Sequence, residues 1–175
     1  MTMSTPTDLI LVDFDDTLVD TAPRFERARR SLFEMLAGHG FDPAQVEHVH
    51  HHEVDPVMRR DHGLGPHRMP VAFGETYRAL CRRAGVDPDP ETVAACERLG
   101  RAVAGTPPAI DGALAALRRL AAARPTAVYT QAGDADYQLE CLRDAGVVGA
   151  VGRERVRVVP LKTAATLRAT LEHFG

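Results

Sequence analysis

The stretch Asp8-Leu9-Ile10-Leu11-Val12-Asp13-Phe14-Asp15-Asp16-Thr17-Leu18 decides how the rest of the chain is read. The run from Asp8 to Val12 is short and nearly continuously apolar, and it ends in acidic residues. A strand buried on both faces of a parallel sheet has this pattern. In an open α/β sheet, ligands bind in the crevice outside the carboxyl ends of the strands. Asp13 and Asp15, separated by one residue, can both point into that crevice. Close carboxylates repel, so the arrangement needs a cation or a shared proton to compensate. The other reading is an acidic turn or a helix N-cap, where side-chain oxygens accept local backbone N–H groups.

Two more apolar runs lie downstream. Thr126-Ala127-Val128-Tyr129-Thr130 leads into Gln131-Ala132-Gly133-Asp134, and Val156-Arg157-Val158-Val159 carries a charge that predicts a more exposed, edge-like strand. Helical patterns separate them. Leu114, Leu117 and Leu120-Ala121 recur before the second run; Tyr137, Cys141 and Leu142 recur after it, with Gly146 as the C-cap. Strands alternating with helices predict right-handed βαβ crossovers and a doubly wound, Rossmann-like parallel sheet.

Residues 20–105 offer only helix signals. Phe25, Ala28, Leu32 and Leu36 mark one amphipathic face, stopped at Gly38-His39-Gly40. Asp42-Pro43, Asp55-Pro56 and Asp89-Pro90 each read as an N-cap followed by proline in the first turn. Phe73, Tyr77, Leu80-Cys81 and Ala84 form another stripe, as do Val93, Cys96, Leu99 and Val103. Gly105-Thr106-Pro107-Pro108 breaks the pattern. The expected organisation is an α/β core of residues 1–19 and 106–175, with an all-helical insertion at 20–105.

This order of motifs resembles the haloacid dehalogenase superfamily across nearly the whole chain. Asp13-x-Asp15-x-Thr17 after a strand matches its first motif. Thr130 at the end of a strand matches the second, with Gln138 and its helix as the continuation. Lys162 after the third apolar run matches the basic residue of the third motif. The insertion is similar to the family's type-one helical cap, and Pro107-Pro108 to the return into the core. Lys162 is also the one Lys among 21 basic residues, so chance would put it at this position about one time in 21; an ammonium and a guanidinium are not equivalent at a tight site.

The resemblance implies roles. Asp13 would attack phosphorus and form an aspartyl-phosphate. Asp15 would protonate the leaving alcohol and then activate water. Mg²⁺ would sit between the Asp13 carboxylate and the backbone carbonyl of Asp15, Thr130 would hydrogen-bond a phosphoryl oxygen, and Lys162 would hold charge on nucleophile and phosphate. Dehalogenases lack an Asp at the position of Asp15 in the family pattern, so the resemblance implies phosphate transfer. The expected function is a magnesium-dependent phosphatase acting on a small phosphomonoester. The alternatives are a phosphomutase and a non-catalytic, regulatory binding protein.

The family's fourth motif, one or two carboxylates completing the metal site after another strand, would lie beyond the helix that follows Lys162, where the sequence stops. We therefore expect the natural chain to continue past Gly175, supplying a strand beside the one that bears Asp13. The 175 residues alone are expected to bind Mg²⁺ weakly and turn over little. Asp134 and Asp136 are possible substitutes but read more naturally as helix caps.

Composition bounds the rest. Hydrophobic residues are 45% and charged residues 26%, and the net charge is −3, a globular balance with no basic patch for nucleic acid or anionic membrane. MTMSTPT lacks a signal peptide's apolar core. Cys81, Cys96 and Cys141 are odd in number and widely spaced, so they read as free thiols of a reducing compartment, and the cytoplasm is the expected location. Residues 20–105 carry 12 Arg against 13 acids, so the insertion has no fixed bias toward an anion. His48 and His52 have the i, i+4 spacing of a metal pair, but with no third ligand the cluster from His48 to His52 reads as a solvated helix face.

Overall fold

The computed structural model describes residues 8–174, so the MTMSTPT stretch lies outside the described residues. In chain order the elements are β1 (Ile10–Val12), α1 (Ala22–Gly38), α2 (Pro43–His48), a π-helical turn (Val49–Val54), α3 (Asp55–His62), α4 (Arg68–Ala84) and α5 (Pro90–Arg101). Then come α6 (Ala113–Ala123), β2 (Thr126–Gln131), α7 (Ala135–Asp144), α8 (Val147–Val151), a 3₁₀ turn (Arg153–Arg155), β3 (Val156–Val159) and α9 (Ala164–Phe174).

The three strands form one parallel sheet in the order β1-β2-β3. Val12 lies opposite Val128, and Val128 in turn opposite Val156, so the three apolar runs are stacked in register. β2 is central, and its residues Thr126–Thr130 are buried, as a continuous apolar run requires. β1 is shorter than its apolar run, with Asp8 and Leu9 outside it. Arg157 is half-buried on β3, an edge among the described strands.

The described residues divide into two compact units, one running up to Thr21 and resuming at Thr106, the other holding Ala22–Gly105. Each has its own core. In the sheet unit Phe14, Val19, Leu117, Val128, Leu142 and Val147 pack together. In the helical unit Leu32, Leu36, Val49, Met69, Phe73, Leu80 and Cys96 do so. Each unit also ties its own two ends. Asp20 N–H donates to Pro108 O at 2.8 Å, Ile110 N–H donates to Leu18 O at 3.0 Å, and Val19 forms an antiparallel bridge with Ala109. In the helical unit the Arg24 guanidinium donates to the Gly105 carbonyl.

Local chemistry accounts for most boundaries. Asp42 and Asp89 cap α2 and α5, accepting from Gln45 N and Thr92 N, with Pro at the first helical position. Gly85 ends α4 at φ 68°, where glycine meets no Cβ penalty. Asp55 is a correction to the sequence reading: it caps nothing. The chain stays helical through it, because a wider π turn precedes it and Asp55 N–H bonds back to His50 O. Pro56 follows without breaking the helix, having no N–H to satisfy. Asp55 is instead buried against Arg68 at 3.1 Å and Arg59 at 2.7 Å.

The histidine cluster is a second correction. His48 is exposed, but His50 is fully buried, with Phe33 and Phe73 edge-on to its ring. α9 is a third. Leu167 and Leu171 are exposed, and the buried residue is Thr170. Threonines occupy the inner face because their hydroxyls find acceptors there: Thr170 donates to Thr166 O, and Thr166 bonds Leu161 O and the Tyr129 hydroxyl.

Candidate active site

The carboxyl ends of β1, β2 and β3 carry Asp13, Thr130 and Lys162, all within the sheet unit. After β1 the chain makes a tight turn on one acceptor: Phe14 O takes the N–H groups of Thr17, Leu18 and Val19 at 3.3, 2.8 and 3.3 Å. Asp16 sits at φ 53°, a left-handed conformation that Asp tolerates better than most side chains, and its carboxylate accepts from Thr21 N at 2.9 Å. Phe14, Leu18 and Val19 anchor the turn in the core.

Asp13 is anchored at both oxygens. Its Oδ1 accepts the Phe14 N–H at 2.8 Å, and its Oδ2 lies 2.6 Å from the Lys162 ammonium. Its side chain is still 42% exposed, which an attacking carboxylate needs. Lys162 is positioned from below. Its backbone N–H donates to the Gln131 side chain at 2.8 Å, and its Nζ lies 5.5 Å over the Tyr129 ring. The Tyr129 hydroxyl is held by Thr166 at 2.8 Å.

Asp15 has a different environment, in which its carboxylate meets neutral donors among the described residues. Oδ1 accepts from the Thr21 hydroxyl at 2.8 Å, and Oδ2 accepts from Gln138 Nε2 at 2.6 Å. The same Nε2 lies 3.2 Å from the Thr130 hydroxyl oxygen. Thr130 and Gln138 are both buried, at 1% and 6% exposure. Thr130 therefore accepts from Gln138 and keeps its own proton to donate.

The structure thus joins the four sequence-derived residues in two linked groups, Asp13 with Lys162 and Asp15 with Thr130 through Gln138. Sequence reasoning gave no role to Gln138, Thr21, Gln131 or Tyr129. Gln138 left a readable signal. It precedes Cys141 and Leu142 by three and four positions, so it shares their buried face, and a buried amide must have partners. Asp134 caps α7 by accepting from Tyr137 N, as read. Cys81, Cys96 and Cys141 are buried free thiols, and burial pushes Cys96 up to about 11, far from a reactive thiolate.

Among the described residues no group of three His, Cys, Asp or Glu side chains converges to hold a metal. The donors at Asp13 nevertheless fit Mg²⁺, which prefers oxygen, keeps several waters and commonly takes one or two carboxylates plus phosphate oxygens. Both Asp15 side-chain oxygens already accept from Thr21 and Gln138; its backbone carbonyl is the second ligand that the resemblance implies.

No protein-family model matches the sequence, and no curated protein matches it. Solved structures do. A haloacid dehalogenase-like family hydrolase from Xanthomonas campestris overlays with a TM-score of 0.73 at 19% identity, covering 96% of this chain and 69% of that chain. A haloacid dehalogenase-like hydrolase from Burkholderia xenovorans overlays with a TM-score of 0.55 at 20% identity, covering 97% and 68%. The HAD-hydrolase YfnB from Bacillus subtilis, bound to magnesium, gives 0.48 at 21% identity over 88% and 64%. The chain has the fold of the haloacid dehalogenase-like hydrolases.

Proposed function

We propose that this chain is a haloacid dehalogenase-type phosphatase that hydrolyses a small phosphomonoester through an aspartyl-phosphate on Asp13. The observation that carries the reading is the contrast between its two carboxylates. Asp13 meets an ammonium at 2.6 Å, as a nucleophile approaching an anion requires, while Asp15 meets neutral donors among the described residues, as suits a group that passes a proton. A dehalogenase expels halide and needs no acid for its leaving group, so a buttressed Asp15 favours phosphate transfer.

In the first step an Asp13 oxygen attacks phosphorus, the bond from phosphorus to the leaving oxygen breaks, and Asp15 gives that oxygen its proton. In the second, Asp15 takes a proton from the water that attacks phosphorus, and the bond to Asp13 returns its electron pair to the carboxylate. Lys162 holds Asp13 and would share its charge with a phosphoryl oxygen. Thr130, with a proton to donate, would orient another. Mg²⁺, held by the Asp13 carboxylate and the Asp15 carbonyl, would supply charge neutralisation between anionic nucleophile and anionic phosphate. Buried free thiols fit a reducing compartment, for which we propose the cytoplasm, and a phosphorylated metabolite is the proposed partner.

The test is hydrolysis of an aryl phosphate at saturating Mg²⁺ by the complete protein, wild type and Asp13→Asn. Wild-type turnover that the substitution abolishes, with the fold unchanged by circular dichroism, is the expected result. Substantial turnover by a clean Asp13→Asn preparation would remove the nucleophile and with it the proposal.

A further inference from the structure

We infer that Gln138 is a positioning residue that holds Asp15 and Thr130 together, its one amide nitrogen bridging the carboxylate and the hydroxyl. The inference rests on the proposed function for what Asp15 does; the contact itself does not depend on it. Gln138 stands far from Asp15 in sequence, on α7, yet its amide nitrogen lies 2.6 Å from Asp15 Oδ2 and 3.2 Å from Thr130 Oγ1. With the amide turned over, its oxygen would face an anionic carboxylate, so the nitrogen must point there.

Two neutral donors fix the Asp15 carboxylate, one at each oxygen: the Thr21 hydroxyl at Oδ1 and the Gln138 amide at Oδ2. Because the same amide also bonds Thr130, the carboxylate that protonates the leaving group and the hydroxyl that orients the phosphate are held at a fixed separation. A displacement of about 1 Å at such a constellation can cost on the order of a hundredfold in rate.

Two measurements test this in the full chain. The first is kcat/KM, which reports the steps through phosphorylation of Asp13, for 4-nitrophenyl phosphate and for ethyl phosphate, in wild type and Gln138→Leu. An aryloxide leaves unaided and an alkoxide needs the acid, so the variant should lose at least tenfold more on the alkyl ester. The second is a thermal double-mutant cycle with Asp15→Ala. The fall in Tm on Gln138→Leu should shrink by half or more when Asp15 is absent, because no carboxylate then faces the apolar side chain. Should Gln138→Leu fail to fold, Gln138→Met, unbranched and similar in length, serves in both measurements. Equal losses on the two esters, or Tm changes that simply add, overturn the inference. The cycle needs no turnover, so non-additive Tm changes in a protein that hydrolyses neither ester would sustain the contact and sink the proposed function instead.

Discussion

His50 lies 3.0 Å from Thr76 Oγ1 through its Nδ1, while the Thr76 hydroxyl donates to Ala72 O. Nδ1 must therefore carry the proton, and Nε2 stays bare and unpartnered in the core. Burial pushes the His50 pKa down to about 4; Asp55 opposes the shift, and His51, Arg29 and Arg68 reinforce it. A histidine held neutral when folded gains a proton first in the unfolded chain. Its contribution is complete above the ordinary value of 6.5 and is lost as the pH falls from there toward 4. The loss is on the order of 3 kcal/mol at about 1.4 kcal/mol per unit. We expect Tm to fall across that window and His50→Phe, which cannot titrate, to flatten the fall; an unchanged slope by scanning calorimetry would refute it. Asp13 and Lys162 were legible as candidate site residues because strand ends and a lone lysine mark them. His50 was not: four histidines within five residues read alike until a π turn sends one inward, and that turn depends on tertiary packing. Gln138 was half-legible, its burial predictable from helical spacing but its partner not, since Asp15 arrives from a distant strand.

Strands and caps were the most legible elements, because apolar runs and Asp-Pro pairs act locally. α9 was not, since its leucine spacing points outward and its buried residue is Thr170, whose hydroxyl is satisfied inside the helix by Thr166 O. The packing of α5 on α4 turns on one residue. A Cβ built on Gly100 would lie 2.4 Å from Pro70 N and 2.5 Å from Met69 C, both backbone atoms of α4 that cannot rotate aside. Gly100→Ala must therefore push the two helices apart, and overpacking of this kind costs about 1–3 kcal/mol. A Cβ at Gly38 meets nothing within 4 Å, so Gly38→Ala is the control. Thermal melts should show Gly100→Ala several degrees below wild type and Gly38→Ala close to it. Equal midpoints would mean that the close approach does not constrain the pair.

At the scale of the molecule, the insertion was readable because a long succession of helix signals without a strand cannot belong to a parallel sheet, and because each segment carries enough apolar residues for its own core. Val19 must meet Ala109 to complete the sheet unit, and an unstructured stretch between them would be a loop of about 90 residues. Arg24 and Gly105, however, are joined within the helical unit, so folding of residues 22–105 first would shrink that loop to a few residues. Closure entropy rises by about 0.6 kcal/mol per doubling of length, so the saving is about 2–3 kcal/mol. We expect residues 22–105 expressed alone to fold, with a cooperative helical melt by circular dichroism; a fragment without one would refute this. The helical unit would then be the nucleus whose rapid, local folding brings distant strands within reach, setting the order in which the active-site residues are assembled.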